Sequence, residues 1–327
     1  MKVSLVITIF NEESSIDYLL DAIQKQTTAP DEIIFVDGGS TDTSIKILSK
    51  WKEKPFFKKR LQILEKKGNR SIGRKFAIKN AKHPWIAITD AGCIPDKNWL
   101  KELIKEQKKS NTVVIAGYYF GIPKTAFEEA VIPYVLVMPD KINPINFLPA
   151  TRSMMIKKET WKKLGGFDKK LNHNEDYAFA KKIESENIPR SFTKKAQVGW
   201  FPRKNLFSFI NMIFRFAYGD AEADILRPKV IFLLTRYLIA SIGLFLYYLY
   251  FISNKFSEII SNNIFLKNWG ILFFIAIFIF YLLWAVLKNK KYVKNGWYWL
   301  PILQLSADAA VITGTISGML KINKQIT

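Results

Sequence analysis

Three long apolar stretches constrain this 327-residue chain more than any other feature. They are VIFLLTRYLIASIGLFLYYLYFIS from Val230, WGILFFIAIFIFYLLWAVL from Trp269 and WLPILQLSADAAVITGTISGML from Trp299. Each comes close to the ~20 residues that a helix needs to cross ~30 Å of hydrocarbon. The expectation is an integral membrane protein whose spans cover about 230–253, 269–288 and 299–320. Before residue 229 the apolar residues come in short blocks broken by charge, which is the pattern of a domain that folds in water. The opening VSLVITIF is eight residues long, runs straight into Asn11-Glu12-Glu13, and reads as a strand, not as a signal peptide.

Charge supports this division. The formal net charge is +21, and the part before residue 229 holds 39 of the 49 basic and 26 of the 28 acidic residues, a net of +13. The basic residues are scattered, with no stripe interleaved with aromatics, so the reading is a domain beside anionic lipid that takes anionic substrates, with no nucleic acid. The segment 254–268 carries two lysines and a glutamate, whereas KNKKYVKNG, 288–296, carries four lysines and no acid. By the positive-inside tendency the second segment is cytoplasmic. With three spans this puts the soluble domain in the cytoplasm and the C-terminus outside, on a cell (inner, cytoplasmic) membrane.

Several chemistries lack their residues. Cys93 is the sole cysteine, so there is no intrachain disulfide, and its expected role is a small buried residue and not a nucleophile. His83 and His173 are the only histidines, too few for a zinc cluster or a confident Ser-His-Asp triad. IFNEES after the first strand contains no glycine, which removes the dinucleotide fingerprint, and no phosphate-loop lysine motif exists.

The soluble part alternates strand and helix patterns. VSLVITIF, EIIFVD, LQILEKK, WIAITD and TVVIAGYY read as strands, and the stretches after Glu13, Thr41, Ser71 and Asp96 as helices. That is the pattern of a mainly parallel sheet covered by helices, in which ligands bind at the carboxyl ends of strands. Those ends carry Thr8, Phe10, Asn11 and Glu12; Asp37 with Gly39 and Ser40; and Asp90, Ala91 and Gly92. Before the third helix, Gly68, Arg70 and Arg74 add fork-shaped donors and a glycine that lets backbone N–H groups approach a phosphate. Taken singly, each is ordinary turn chemistry. Glu175-Asp176 likewise suits a helix N-terminus on electrostatic grounds alone.

VSLVITIFNEE, FVDGGSTDTS, GRKFAIKNA, IAITDAGCIPDKNWL and GGFDKKLNHNEDYAFAKKI stand in the order and rough spacing of one family. Over about residues 3 to 219 the chain resembles the family 2 inverting glycosyltransferases of GT-A fold, more loosely between Pro123 and Pro149. The resemblance implies an α/β GT-A domain over 1–202, and the apolar pattern adds an amphipathic interfacial helix or linker over 203–228 and a helical membrane domain over 229–327. It implies that Thr8, Phe10, Asn11, Glu12 and Asp37 hold the base and ribose of a UDP- or GDP-sugar. Asp90 opens a D-x-D-like motif that contacts the ribose and a Mg²⁺ or Mn²⁺ ion on the diphosphate. Asp176 becomes the catalytic base, with Glu175 orienting it or the acceptor. Gly92 replaces the second acid of that motif, so the metal is held more weakly, through water, or with help from His173 or Asp96. Gly38 replaces a second aspartate and leaves the nucleotide open.

In WFPRKNLFSFINMIFRFAYGDAEADILRPK, from Trp200, Leu206, Phe207, Phe209, Ile210, Ile213 and Phe214 form a broad apolar face beside Arg203, Lys204 and Arg215. This suits an interfacial helix; a core helix of the soluble domain is the other reading. Arg215 matches the family's diphosphate clamp, with Arg203 nearby. Met212 and Phe216 stand where processive synthases carry the outer residues of Q-x-x-R-W, so transfer of one sugar is expected. The acceptor expected is a polyprenyl phosphate or a lipid-linked or cell-envelope glycan. The rival readings are a non-catalytic nucleotide-binding membrane scaffold and a processive polysaccharide synthase subunit. Arg236 and Asp308 lie ~10 and ~14 Å into their spans, a depth at which charges pair or serve function. Ala310, Gly314 and Gly318 form a small-residue stripe that predicts close helix packing, and a homo-oligomer through the membrane helices is a further expectation.

Overall fold

The computed structural model describes residues 1–257 and 264–326; the segment 258–263, part of the 254–268 stretch weighed for orientation, lies outside them. The chain divides into two compact units, Met1–Lys124 with Val135–Pro202, and Thr125–Tyr134 with Arg203–Thr327.

The first unit opens on β1 (Val3–Ile9), α1 (Ile16–Gln24), β2 (Glu32–Asp37), α2 (Ser44–Lys52), α3 (Pro55–Lys58), β3 (Leu61–Glu65), α4 (Arg70–Asn80) and β4 (Trp85–Ile88). All but the short α3 are strands and helices that the apolar periodicity predicts, and β2 is buried along its whole length, as a continuous apolar run requires. Then come β5 (Cys93–Pro95), α5 (Trp99–Ser110), β6 (Val114–Gly121), α6 (Ala126–Val135), β7 (Met154–Lys157), α7 (Lys158–Lys163), α8 (Glu175–Ser185) and β8 (Arg190–Trp200). All of α6 but its last residue belongs to the second unit.

The eight strands form one sheet in the order β3-β2-β1-β4-β7-β6-β8-β5. The run from β3 to β4 is parallel, as is β6 with β8, whereas β7 is antiparallel to both its neighbours and β5 to β8. The sheet is therefore mixed, with its parallel half first. Even-numbered side chains of the central strands, Val6, Ile34, Val36, Ile86, Ile88, Met154 and Ile156, share one core with Ala77 and Ile78 of α4, Trp161 of α7 and Phe179 and Ile183 of α8. This packing sets α4 and α8 on the same face of the sheet, and it decides where Arg74 and Glu175 can meet.

The second unit contains α6, α9 (Leu206–Glu222), α10 (Pro228–Ser257), α11 (Ile264–Asn289) and α12 (Leu300–Ile326). Three helices are long and apolar enough to cross a membrane, over Pro228–Tyr250, Ile271–Tyr292 and Trp297–Lys321. Arg236 and Asp308 pair at 3.0 Å, joined by Tyr237, whose hydroxyl donates to Asp308 at 2.9 Å, and by the hydroxyl of Tyr281. The small-residue stripe of α12 packs against α9: a Cβ at Gly314 would lie 2.5 Å from the Phe214 carbonyl oxygen, and one at Gly318 2.7 Å from that of Tyr218. On α9, Phe209, Met212, Ile213 and Ala217 are buried, and the helix belongs to the second unit and not to the first.

Candidate active site

At the carboxyl end of β1 the chain turns through Asn11, whose positive φ of 54° suits an asparagine. Ser40 donates to Asp37 at 2.6 Å, and Asn11 Oδ1 accepts the Thr41 N–H at 2.8 Å. Asp37 also accepts the backbone N–H groups of Gly39 and Ser40, both at 3.0 Å. This carboxylate shapes its own loop, where Gly39 takes a φ of 103°. Phe10 stands 60% exposed beside it, a bare ring at a strand end.

Gly68, at φ 141°, leads into α4, where Asn69 caps the helix by accepting the Ile72 N–H at 2.9 Å. The Asn69 amide donates to the carbonyls of Lys169 and Leu171 at 2.9 and 3.1 Å, and Ser71 donates to that of Asp168 at 2.5 Å. The start of α4 is thereby tied to the loop that leads into α8. One turn along, the buried Arg74 donates through one terminal nitrogen to Asp90 at 2.7 Å and through the other to Glu175. The guanidinium fork thus joins the end of β4 to the first residue of α8.

Electrostatics follow from this fork. Burial pushes the Asp90 carboxyl up, but Arg74, Arg70 and Arg152 together outweigh it and hold the group below the usual carboxylate range. Burial also pushes Glu175 up, and Asp176 adds to that while Arg74 opposes it. Asp176 acts electrostatically on Arg74 as well, so it shares the same locale. The Thr151 hydroxyl points to its carboxylate at a long 3.4 Å. Burial drives the Cys93 thiol upward, with the Asp90 charge adding to it, which leaves that thiol inert.

The structure therefore brings Arg74, Asp90, Glu175 and Asp176 together, with Arg70 exposed nearby. Arg203 and Arg215 lie on the second unit, both exposed. Arg152 was missed in the sequence: it stands in a stretch with no regular pattern, over the rings of Tyr119 at 5.3 Å and Trp200 at 5.2 Å. Its only sequence signal is a basic residue two positions before a short strand.

For a divalent cation, the described residues hold no group of three or more His, Cys, Asp or Glu side chains that could bind it. Asp90 commits one carboxylate oxygen to Arg74. At Gly92 a side chain would begin 3.9 Å from Glu12 Oε2, so a second carboxylate approaches the position of the missing acid. Such a donor set fits a cation that leaves most positions to phosphate oxygens and water. Asp96 is used otherwise, accepting the Asn98 N–H at 2.8 Å ahead of α5.

A mixed α/β sheet of eight strands with its parallel half first is the arrangement of the GT-A fold. The solved mannosyltransferase of Pyrobaculum calidifontis, in complex with GDP-Man and Mn²⁺, superimposes with a TM-score of 0.53 at 20% identity, covering 68% of this chain and 62% of that one. Residues 4–168 match the family model of glycosyl transferase family 2, and the chain belongs to that family. Among its relatives are a poly(ribitol-phosphate) beta-glucosyltransferase of Bacillus spizizenii, 32% identical over 39% of this chain and 22% of that one, and glycosyltransferase GlyG of Streptococcus pneumoniae, 33% identical over 36% and 39%. The chain thus spans well under two thirds of the length of these relatives.

Proposed function

We propose that this protein is a membrane-anchored transferase that moves one hexosyl unit from a UDP- or GDP-sugar to a hydroxyl of a lipid-linked or cell-envelope glycan, with inversion. The observation that carries the reading is the Arg74 fork, because it links the Asp90 strand end to the helix start that bears Asp176. Asp37, Asn11 and the exposed Phe10 ring form the base and ribose end, with Thr8, Glu12, Gly39 and Ser40. Arg70 and Arg152 meet the diphosphate, while Gly68, Ala91 and Gly92 leave room for it.

Asp176 takes the proton of the acceptor hydroxyl as its oxygen attacks the anomeric carbon. The bond from that carbon to the diphosphate oxygen breaks, its electron pair leaves with the nucleoside diphosphate, and the configuration inverts. Glu175, fixed by Arg74, orients Asp176. A Mg²⁺ or Mn²⁺ ion held by Asp90, with Glu12 in reach, would supply charge neutralisation to the leaving diphosphate. A polyprenyl phosphate acceptor is already an anion and needs no base, so the presence of Asp176 at this place favours the hydroxyl. The lysines at 288, 290, 291 and 294 favour a cytoplasmic domain.

A thermal-shift screen of the detergent-purified chain with UDP- and GDP-sugars, with and without Mn²⁺, tests donor and metal together. One nucleotide class is expected to raise Tm, more so with Mn²⁺. No shift with any donor at saturating concentration would contradict the reading.

A further inference from the structure

Among the three long apolar helices α12 stands apart: much of it is buried, whereas the described side chains of α10 and α11 are mostly exposed or half-buried. α10 and α11 run antiparallel, with Arg236 donating to Tyr281 at 2.9 Å and Tyr247 meeting Phe274 at 5.6 Å. A pair of this kind leaves one side and returns to it, so the end of α11 lies level with the start of α10. From there α12 sets out. The Tyr134 hydroxyl donates to the Leu300 carbonyl at 2.7 Å, Phe127 meets Trp299 at 5.1 Å, and Glu129 accepts the N–H groups of Lys294 and Asn295 at 2.8 and 2.9 Å.

If α12 crossed, residue 321 would lie roughly 30 Å away on the far side. Instead Lys321 reaches Glu222 at the end of α9, at 2.8 Å. Two residues earlier, Asp220 pairs at 2.5 Å with Arg227, the residue before α10. Both ends of α12 are therefore fastened on the side from which α10 departs. α9 accompanies it in the same direction, with Phe214 at Gly314, Ala221 at Gly318 and Glu222 at Lys321. Its outward face agrees with this. Ile302, Ala309, Thr313, Ile316 and Leu320 are exposed and fall on one stripe, and the Thr313 hydroxyl is satisfied by the Ala309 carbonyl at 2.8 Å.

We propose that α9 and α12 form a paired layer in the membrane interface, and that only the α10–α11 hairpin crosses. The apolar stripe of α12 rests on acyl chains, continuous with the lipid-facing surfaces of α10 and α11. Residue 321 then lies on the same side as residue 228, which reverses the expectation of an outside C-terminus. This inference stands apart from the transferase reading.

The test is membrane-impermeant maleimide labelling of single-cysteine variants Lys229→Cys, Lys255→Cys and Lys324→Cys in sealed native-membrane vesicles of both orientations. The buried native Cys93 sets the background. Positions 229 and 324 are expected to react in one orientation and 255 in the other; 324 reacting together with 255 overturns the proposal. Reporter fusions after Thr327 read the same question without a cysteine. A green-fluorescent fusion is expected to fluoresce and an alkaline phosphatase fusion to be silent, and the reverse pattern overturns it.

Discussion

Arg74 is the residue on which the site turns. It is 3% exposed and serves two carboxylates, so a neutral replacement leaves the buried Glu175 without its partner and Asp90 without its nearest cation. Arg74→Ala is expected to lose about 3–5 kcal/mol, read as a fall in the denaturation midpoint of the purified chain, and Arg74→Lys to recover only part of it because an ammonium lacks the fork. Asp90 adds a dependence on pH. Its folded-state pKa lies below the unfolded value, so its contribution is fully present above the ordinary aspartate range and is lost as pH falls through the depressed value. Below pH ~4, Tm should therefore fall less steeply in Asp90→Asn than in the parent chain. Glu175 has the opposite sign: its raised pKa means a contribution present at low pH that fades as pH rises.

At the scale of elements, α9 and α12 pack closely along the small-residue stripe. A leucine at Gly318 would drive its Cβ to 2.7 Å from both Ala221 Cβ and the Tyr218 carbonyl oxygen. Gly318→Leu should cost about 1–3 kcal/mol in detergent thermal stability. Gly243→Leu on α10 should cost little, since there the nearest atom to an added Cβ is Phe274 Cε1 at an ordinary 3.8 Å. The first half of the sheet was readable because buried parallel strands are plain apolar runs, as in EIIFVD. Three strands were not. β5 has three residues and β7 four, and β8 interrupts its apolar pattern with Lys194 and Lys195 at a bulge opposite Gly117 and Tyr118. Composition also singles out α12 as a span, although what distinguishes it is its neighbour, which no window of its own residues reveals.

For the whole molecule, the sequence motifs single out Arg74, Asp90 and Glu175 but not how they are joined. Arg74 is 16 residues from Asp90 and 101 from Glu175, so the fork exists only once α4 and α8 pack on the same face of the sheet. Arg152 escaped for the same reason: its tie to Asp90 is spatial and its local sequence is unremarkable in pattern. In the second unit the half-buried Arg236 and the buried Asp308 compensate each other. The account stands or falls on Asp176 as the base of sugar transfer. The direct measurement is acceptor-dependent release of nucleoside diphosphate by the full-length chain, compared between the parent and Asp176→Asn. The account predicts a 10²–10⁴-fold loss of kcat, as about the worth of a general base, with the donor-induced thermal shift retained. Equal turnover by the two proteins would contradict it.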